Sequence, residues 1–391
     1  MKKYDFDEII DRTNTNAVKI EACRSMFGTS NVIPLWVADM DFRTPDFILD
    51  SIRKRCEHPI LGYSVPPKDY FPSIMNWLKE NHGWEVKKEW LGFMPGVVPG
   101  LSFAVQQFSA ENDEIVVQPP VYFPFMHVVE KNNRKLIFNP LKEVDGKFQM
   151  NFDDLEKKIT SKTKMLILCN PHNPGGRSWG KETLQQLAEI CAKHHLIVVS
   201  DEIHADMTLP GNVHVPFASV SERAANISLT YMSPSKTFNI PALQTSYFII
   251  PNEELRNGLK NFLDRSELDN GNIFAYLSTI AAYTEGKWWK MQMLDYVQGN
   301  IDFVIQFLQN EIPQIKPMKP EASFLIWLNC SDLGMNEEEL FQFFVHKAGL
   351  GLNQGITFGP GGEQHLRLNV ACPRSTLEKA MNQLKNAVRN L

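Results

Sequence analysis

The stretch LTYMSPSKTFNIPALQTS, residues 229–246, places a single lysine, Lys236, between serines and apolar residues. No acidic residue lies within ten positions of Lys236 on either side, so the lysine has no local ion-pair partner. A lysine taken by itself is usually a partly exposed residue that follows a strand. A lysine amine held in a pocket can instead attack a carbonyl carbon, which makes Lys236 a candidate nucleophile.

Several other polar residues follow apolar runs elsewhere in the chain, where they could face Lys236 across one pocket: Tyr122, Asn173, Asp201 and His204. This combination suits pyridoxal phosphate. The aldehyde of that cofactor bonds to a lysine, its ring nitrogen stays protonated beside a carboxylate, and its phosphate needs hydroxyls and backbone amides. Lys236, Asp201 and the pair Ser233 and Ser235 could supply these groups.

The apolar runs that precede these residues predict buried parallel strands. EIVVQPPVYFP, KMLILCNPHNPGG, HLIVVSDEIH and NISLTYMSPSK each begin with a continuous apolar run and end in polar or turn residues. Continuous runs are typical of strands buried on both faces, and parallel sheets bind ligands at the carboxyl ends of their strands. PGLSFAVQQFS and KETLQQLAEICAKHH carry apolar residues at helical spacing and are predicted crossover helices. We therefore expect an α/β fold with a mostly parallel central sheet covered by helices.

The pattern changes after about residue 285. A long helical stretch, WWKMQMLDYVQGNIDFVIQFLQNEI, is followed by SFLIWLN, another helix and HLRLNVACP, which predicts a smaller α+β domain. We expect an N-terminal segment (1–44) that packs on this domain and the active-site mouth, a large cofactor-binding domain (45–285) and a small C-terminal domain (286–391).

The composition narrows the classes of partner. The 391 residues are 43% hydrophobic and 22% charged, with a net charge of −5 and no block of basic residues, which argues against nucleic acid and acidic membrane surfaces. The start lacks the apolar core of a signal peptide and no long apolar run occurs, so we expect a cytoplasmic protein acting on small molecules.

Metal binding finds little support in the sequence. The six cysteines are scattered without a C-x-x-C pair, which favours reduced thiols over zinc ligands or disulfides. The segment DEIHAD could be interpreted as part of a metal site, but no second histidine cluster is placed to complete it. We therefore expect no metal.

Seven motifs, in order and at similar spacing, give the whole chain a resemblance to a known family: PLWVADMDF, FMPGVVPGLS, PPVYFPF, LCNPHNPGGR, VSDEIHADM, SPSKTFNIPAL and LRLNVACPRS. The chain resembles the pyridoxal-phosphate-dependent C–S lyases of the cystathionine β-lyase type, the MalY/PatB-like group of the class I/II aminotransferase superfamily. The resemblance implies a fold-type I enzyme, a homodimer, and cleavage of cystathionine or a related thioether.

The resemblance also implies roles around the cofactor. Lys236 would bond to the cofactor and, once freed by substrate, move the α-proton, whereas Asp201 would hold the ring nitrogen. Asn173 would bind the ring hydroxyl, although an asparagine between prolines could be only a turn former. His204 would lie near the ring, although it could be a structural histidine. Tyr122 would stack on the ring, although most tyrosines of this kind belong to a core.

Other residues would bind the phosphate and the substrate. Gly96, Val97 and Val98 open a predicted helix, whose amides could bind phosphate together with Ser233 and Ser235, although many helices begin this way without a ligand. Tyr63 resembles the tyrosine that reaches the phosphate from the neighbouring subunit; a buried interface tyrosine is the alternative. Arg367 resembles the clamp of the substrate carboxylate, and Ala38 would contact substrate through its backbone.

Two positions depart from the pattern. Gln244 stands eight residues after Lys236, where many aminotransferases carry a phosphate-binding arginine, and DRTNTNAVKIE lacks the tryptophan that often follows the lysine in this family. We expect C–S β-lyase activity. An aminotransferase with the same cofactor, and a regulatory or interaction protein that kept the fold without turnover, are the alternatives.

Overall fold

The computed structural model describes residues 2–391. Within these residues there are fifteen strands: β1 Ile33–Pro34, β2 Leu91–Met94, β3 Glu114–Val117, β4 Lys135–Phe138, β5 Lys142–Val144, β6 Lys147–Gln149, β7 Thr163–Cys169, β8 Ile197–Asp201, β9 Ser228–Met232, β10 Ser246–Ile249, β11 Lys316–Met318, β12 Leu325–Asn329, β13 Leu350–Gly351, β14 Asn353–Gln354 and β15 His365–Asn369.

Fourteen α-helices connect and cover them: α1 Val18–Glu21, α2 Cys23–Phe27, α3 Asp46–Cys56, α4 Tyr70–His82, α5 Val97–Phe108, α6 Pro124–Glu130, α7 Phe152–Lys158, α8 Lys181–Lys193, α9 Glu222–Ile227, α10 Glu253–Arg265, α11 Ile273–Glu285, α12 Lys287–Glu311, α13 Glu337–Gln342 and α14 Arg374–Arg389.

A seven-stranded sheet in the order β2-β10-β9-β8-β7-β3-β4 forms the centre of the fold. The strands from β9 to β4 are parallel to their neighbours, whereas β10 runs antiparallel to both β9 and β2. The four strands expected from the apolar runs are therefore adjacent and parallel. This confirms the predicted mostly parallel α/β sheet, with β10 as its reversed strand.

Strand β7 shows why the apolar runs are continuous. Its residues Met165 and Ile167 pack into one buried cluster with Leu101 and Val105 of α5. Its alternate residues Leu166 and Leu168 pack into a second cluster with Leu184 and Leu187 of α8. Since successive side chains of a strand point to opposite faces, both faces must be apolar when helices cover both sides.

A smaller antiparallel sheet, in the order β11-β12-β15-β14, forms the second part of the fold. Helices α12 and α14 pack against each other beside it. Ile326 of β12 and Leu368 of β15 share a buried cluster with Ile301 of α12 and Leu384 of α14. The predicted α+β arrangement of the C-terminal part is thus confirmed.

The N-terminal segment lies against the C-terminal part and the mouth of the site. Strand β1 pairs in parallel with β13, and Trp36 donates its indole N–H to the carbonyl of Lys19 at 3.0 Å. One large buried cluster joins side chains from the N-terminal segment, α4 and α12. The division of the chain at residues 44 and 285 stays a prediction, because this apolar cluster runs across both points.

Two further findings concern the whole described chain. No helix within residues 2–391 is long and apolar enough to cross a membrane. All six cysteines are free thiols, and Cys56 is the exposed one.

Candidate active site

The carboxyl ends of β3, β7, β8 and β9 meet at a cavity of about 250 Å³. Most of the residues predicted from the sequence line it: Ala38, Gly96, Val97, Val98, Tyr122, Asn173, Asp201, His204, Ser235 and Lys236. The turns that follow the parallel strands bring them together, as the position of ligand sites in such sheets requires. Their individual roles stay predictions.

Lys236 presents a buried amine to this cavity. Its Nζ donates a hydrogen bond to the carbonyl of Ala38 at 2.7 Å. Burial and then the positive charge of Arg367 lower the pKa of Lys236 to about 8, against the opposing charges of Asp39 and Asp201. The amine is therefore still mostly charged at pH 7, but its uncharged fraction, which a nucleophile or a proton acceptor needs, is far larger than that of an ordinary lysine.

Asp201, the last residue of β8, is a buried carboxylate on the same cavity. Burial raises the pKa of Asp201 to about 7, although the backbone N–H of Ile203 donates to its Oδ1 at 3.0 Å. Within residues 2–391 no cationic side chain lies at ion-pair distance from this carboxylate. A protonated ring nitrogen bound here would supply the missing counter-charge.

Arg367 lies beside the cavity, on β15 of the smaller sheet. Its guanidinium donates to Asn173 Oδ1 at 3.1 Å, to Asn353 Oδ1 at 2.6 Å and to the carbonyl of Trp36 at 2.9 Å, and it lies over the ring of Phe358. Burial lowers the pKa of Arg367 to about 10, so the group remains charged at neutral pH. Its Nε is buried and, within the described chain, has no partner. That free donor suits a ligand carboxylate.

Tyr122 and His204 provide the aromatic walls of the cavity. The backbone N–H of Tyr122 donates to the carbonyl of Asn173 at 3.1 Å, which ties two strand-end turns together. Burial raises the pKa of Tyr122. Burial also lowers the pKa of His204 to about 3, and the positive charges of Lys236 and Arg367 act in the same direction. His204 is therefore neutral, and its Nδ1 is among the buried atoms without a partner in the part of the chain that the structure describes.

The predicted phosphate end combines the start of α5 with the turn after β9. Gly96 has an extended backbone and precedes Val97, the first residue of the twelve-residue helix. The first amides of a helix lack internal partners and lie at the positive end of its dipole, so an anion is favoured here. Gln244, in a left-handed conformation with φ of 50°, lines the same cavity.

The two serines of SPSK have different positions. Ser235 lines the cavity, whereas Ser233 does not. The hydroxyl of Ser233 donates to the carbonyl of Thr245, accepts from the N–H of Ser235 at 3.0 Å and lies 2.8 Å from its hydroxyl. The expectation of a direct phosphate contact therefore fits Ser235 better, and Ser233 acts on the orientation of Ser235.

Tyr63 lies outside the cavity, in the loop between α3 and α4. It is fully exposed, and the apolar side chains of Ile60, Leu61 and Val65 in the same loop are also exposed. The contact expected for Tyr63 is with the phosphate in the neighbouring subunit. The role of Tyr63 stays a prediction.

Sequence reasoning missed several residues of the site. Cys169, at the end of β7, lines the cavity and accepts from the N–H of Asn173 at 3.3 Å. Its position at the end of an apolar run was a usable signal. Asn353 lies on a two-residue strand and Trp36 acts through its carbonyl, so neither had a local signature.

A second cavity, of about 680 Å³, adjoins the first and shares Ala38, Lys236 and Pro241 with it. Charged side chains of the N-terminal segment line its outer part, among them Arg12 and Asp39. Lys236 therefore lines two adjoining spaces, one at the strand ends and one larger and lined in part by charged side chains.

Comparisons with known proteins agree with this geometry. Residues 31–384 match the family described as aminotransferase class I and II. Over 385 residues the chain is 44% identical to cystathionine beta-lyase PatB of Bacillus subtilis, covering 98% of this chain and 100% of that protein.

Two solved structures are similar over nearly their whole length. Cystalysin from Treponema denticola, which contains a pyridoxal 5'-phosphate cofactor, has a TM-score of 0.96 and 32% identity, covering 100% of both chains. The PLP-bound C-S lyase from Staphylococcus hominis has a TM-score of 0.92 and 34% identity, covering 99% of this chain and 98% of that one. The expected fold-type I architecture is confirmed, and the chain belongs to the aminotransferase class I and II family, in the group that includes cystathionine beta-lyase PatB.

Proposed function

We propose that the protein is a pyridoxal-phosphate-dependent C–S lyase that cleaves cystathionine, or a related cysteine S-conjugate, to pyruvate, ammonia and a thiol. The observation that carries the proposal is the pairing, in one cavity, of the buried Lys236 amine with the buried Asp201 carboxylate. The names of the similar proteins, a cystathionine β-lyase and a C–S lyase, support the reaction type.

The residues of the cavity fit pyridoxal phosphate. Asp201 would hold the ring nitrogen, because its buried carboxylate lacks a cation among the described residues. Lys236 would bind the aldehyde, and Tyr122 would cover one ring face. The first amides of α5 and the hydroxyl of Ser235 would hold the phosphate. The unpartnered Nδ1 of His204 would receive a polar partner from the bound group.

When bound, the cofactor supplies an aldehyde for covalent attachment and a cationic ring that withdraws the electron pair of the substrate α-carbon. The protein supplies position and proton transfer. Arg367 holds the α-carboxylate through its unpartnered Nε, and Lys236 accepts the α-proton on Nζ. The carbonyl of Ala38, which accepts from Nζ at 2.7 Å, aims the amine.

The second cavity supports elimination from the β-carbon. The sulfur substituent of a bound substrate needs space beyond the α-carbon, and the larger cavity begins at Lys236 and Ala38. Lys236, once protonated, can pass its proton to the departing thiolate, so that a neutral thiol leaves through this space. Overall, one water and one cystathionine give homocysteine, pyruvate and ammonia.

The decisive experiment incubates the holoenzyme with L-cystathionine without any keto acid. We expect continuous release of pyruvate and homocysteine in equal amounts over many turnovers, and none from the Lys236→Ala variant. Pyruvate is measured with a coupled dehydrogenase and homocysteine with a thiol reagent.

An aminotransferase would behave differently, because it converts its cofactor into an amine form and needs a keto acid to regenerate it. A single turnover that stops, and resumes only when a keto acid is added, would replace the lyase proposal with the aminotransferase one. Assays with several S-substituted cysteines in parallel would define the preferred thiol.

We also propose that the enzyme is a homodimer whose two sites each use Tyr63 of the other subunit. The loop that carries Tyr63 exposes Ile60, Leu61 and Val65, and neighbouring exposed apolar side chains are typical of an interface. Tyr63 is exposed and does not line the cavity of its own subunit, which supports a contact in trans.

Mixing two inactive variants tests the shared site. Tyr63→Ala subunits and Lys236→Ala subunits, exchanged under mild denaturation, should recover part of the activity because one site of each mixed dimer is intact. Failure to recover after mass spectrometry has verified mixed dimers would exclude the shared site.

We propose further that the enzyme works in the cytoplasm. Six free cysteines, five of them buried, are compatible with a reducing compartment. Activity measured in soluble and in envelope fractions of the source cells would test this; recovery of most activity outside the soluble fraction would contradict it.

A further inference from the structure

The backbone of residues 36–42 contacts two functional side chains of the site, Lys236 and Arg367. The carbonyl of Ala38 accepts from Lys236 at 2.7 Å, and the carbonyl of Trp36 accepts from Arg367 at 2.9 Å. Asn369 donates to the carbonyls of Val37 and Asp39 at 2.6 and 2.7 Å. The inner side of this segment therefore fixes the direction of the amine and the guanidinium.

The acidic side chains of the same segment point to the N-terminal arm and form a compact ionic network. Arg12 binds Asp39 Oδ2 at 2.6 Å with one terminal nitrogen, and with the other it binds Asp39 Oδ1 at 3.1 Å and Asp41 Oδ1 at 2.7 Å. Lys19 binds Asp41 Oδ2 at 2.7 Å and lies 3.6 Å from Asp39. Two cations thus hold two carboxylates on either side of Met40.

Burial makes this network costly to disturb. The Lys19 side chain has no exposed surface, and that of Asp39 is 14% exposed. A charge held away from water must keep its partner, since removing one member leaves the other unpaired. The indole of Trp36 adds a third tie, because it donates to the carbonyl of Lys19 at 3.0 Å. The arm therefore docks without a tryptophan directly after the lysine.

The network acts on the site through one peptide unit. Asp39 follows Ala38 directly, so a fork of two hydrogen bonds to the Asp39 carboxylate also restricts the Ala38 carbonyl. Elsewhere in the segment, Asn239 donates to the carbonyls of Met40 and Phe42 at 2.9 Å. Neutral hydrogen bonds thus hold the segment from inside, whereas its outer side depends on charges.

We infer that Arg12, Lys19, Asp39 and Asp41 are positioning residues that clamp the segment of residues 36–42, so that its carbonyls aim Lys236 and Arg367 at the substrate. The inference rests on the proposed function for the identity of the substrate but not for the state of Lys236. It also gives Asp39 a second effect, because its negative charge favours the charged form of the Lys236 amine.

The charges that face Lys236 come from several elements. Arg367 of β15 disfavours the ammonium form, whereas Asp201 of β8 and Asp39 favour it; His204, after β8, is neutral. Removing the charge of Asp39 therefore lowers the pKa of Lys236. Removing Arg12, which neutralises Asp39, strengthens the field of Asp39 and raises that pKa. The two substitutions have opposite signs.

The test compares Asp39→Asn and Arg12→Gln with the wild-type chain and with Glu8→Gln. The control breaks an exposed ion pair between Glu8 and Arg43, at the end of the segment but outside the network. The reactivity of Lys236 toward an amine reagent is measured between pH 6 and 10 in the cofactor-free full-length chain, by mass spectrometry. We expect midpoint shifts of at least about half a pH unit, downward for Asp39→Asn and upward for Arg12→Gln.

Steady-state kinetics of the holoenzymes provide the second readout. Both variants should raise KM about tenfold, the effect of one weakened hydrogen bond to a charged group, because Arg367 loses the fixed carbonyl of Trp36. Arg12→Lys keeps the charge but loses the fork, so it should raise KM without moving the Lys236 midpoint. If Arg12→Gln does not fold, the midpoint shift of Asp39→Asn and the KM of Arg12→Lys carry the test.

The outcomes separate the inference from the proposed function. Midpoints that do not move, or that move in the same direction in both charge-removing variants while only thermal stability falls, would overturn the inference. A wild-type enzyme that releases no pyruvate would overturn the lyase proposal. In that case the pH dependence of Lys236 labelling would still test the role of the network. The dissociation constant of the amino acid would then be measured in place of KM.

Discussion

Replacing Asp201 with asparagine should have opposite effects on stability and on function. Asp201 is buried, and within the described chain it has the N–H of Ile203 as its hydrogen-bond partner and no cation at contact distance. Asparagine has the same shape and can keep this hydrogen bond through its Oδ1. The substitution therefore removes a buried negative charge with little change in packing.

The pKa of Asp201 gives the magnitude. Its ordinary value is 3.8 and burial raises it to about 7, so an unfolded chain releases this proton about three pH units earlier than the folded chain. Ionisation of the Asp201 carboxyl therefore favours the unfolded state. The wild-type free energy of unfolding falls as the pH rises from about 4 to about 7. At about 1.4 kcal/mol per unit, the cofactor-free Asp201→Asn chain should be more stable above pH 7 by up to about 4 kcal/mol.

The holoenzyme should respond in the other direction. The negative charge of Asp201 would stabilise the protonated nitrogen of the cofactor ring. Asparagine is neutral, so it cannot stabilise that protonated nitrogen to the same extent. We expect the Asp201→Asn variant to bind pyridoxal phosphate more weakly and to lose most of its pyruvate release, although its cofactor-free form is more stable toward unfolding than the wild-type form.

Urea denaturation of the cofactor-free chains at pH 4, 6 and 8 measures the stability effect. Asp206→Asn is the matched control, because that buried carboxylate accepts from Trp77 at 2.8 Å and interacts with His82 at 2.9 Å. Burial alone would raise the pKa of Asp206, but the bond and charge of His82 lower it, so Asp206→Asn should destabilise. If Asp201→Asn also destabilises at pH 8, the carboxylate has a partner in solution and the reasoning fails.

Three other substitutions, the last paired with a control, test the attachment site, the carboxylate clamp and the backbone. Lys236→Ala should abolish pyruvate release and the absorption band of the lysine-bound cofactor while the fold stays intact; a retained band would assign attachment to another residue. Arg367→Lys should raise KM about 10- to 100-fold with a smaller effect on kcat, because an ammonium cannot keep the bonds to Asn173, Asn353 and Trp36 and also present a fixed donor to the carboxylate; an unchanged KM would exclude the clamp. Gly176→Ala should lower the denaturation midpoint strongly, since φ is +63° and a Cβ would lie 2.4 Å from Pro320 Cβ; Gly146→Ala, with φ of +68° and open space, should cost only about 1 kcal/mol.

The central sheet could be predicted because its signal is local. Each parallel strand is apolar on both faces, as Leu166 and Ile167 of β7 show by packing into different clusters. The turn after each strand carries the polar residues, so strand order alone brings Asp201 and Lys236 together. The reversed direction of β10 was not predictable in this way, because a four-residue apolar run has the same composition in either direction.

The remaining parts of the site depend on contacts between distant segments. Arg367 is held by Asn353 and by the carbonyl of Trp36, which lies 331 positions away in the chain. A backbone carbonyl has no residue type that a sequence can reveal. The different positions of Ser233 and Ser235 follow from the carbonyl of Thr245, which takes the first hydroxyl. Pattern and spacing do not encode such a choice.

The position of Lys236 between two cavities bears on the choice between elimination and transamination. Both reactions need the same amine, carboxylate and guanidinium, so these residues do not discriminate between them.

Elimination additionally needs space for a departing thiol next to the group that carries the α-proton. The larger cavity begins at Lys236 and Pro241. Three members of the ionic network, Arg12, Asp39 and Asp41, are among the residues that line it. A polar thiol such as homocysteine carries its own ammonium and carboxylate groups, and these charged residues give part of the space polar walls for them. The structure therefore provides room for the leaving group of an elimination next to the amine that takes the α-proton.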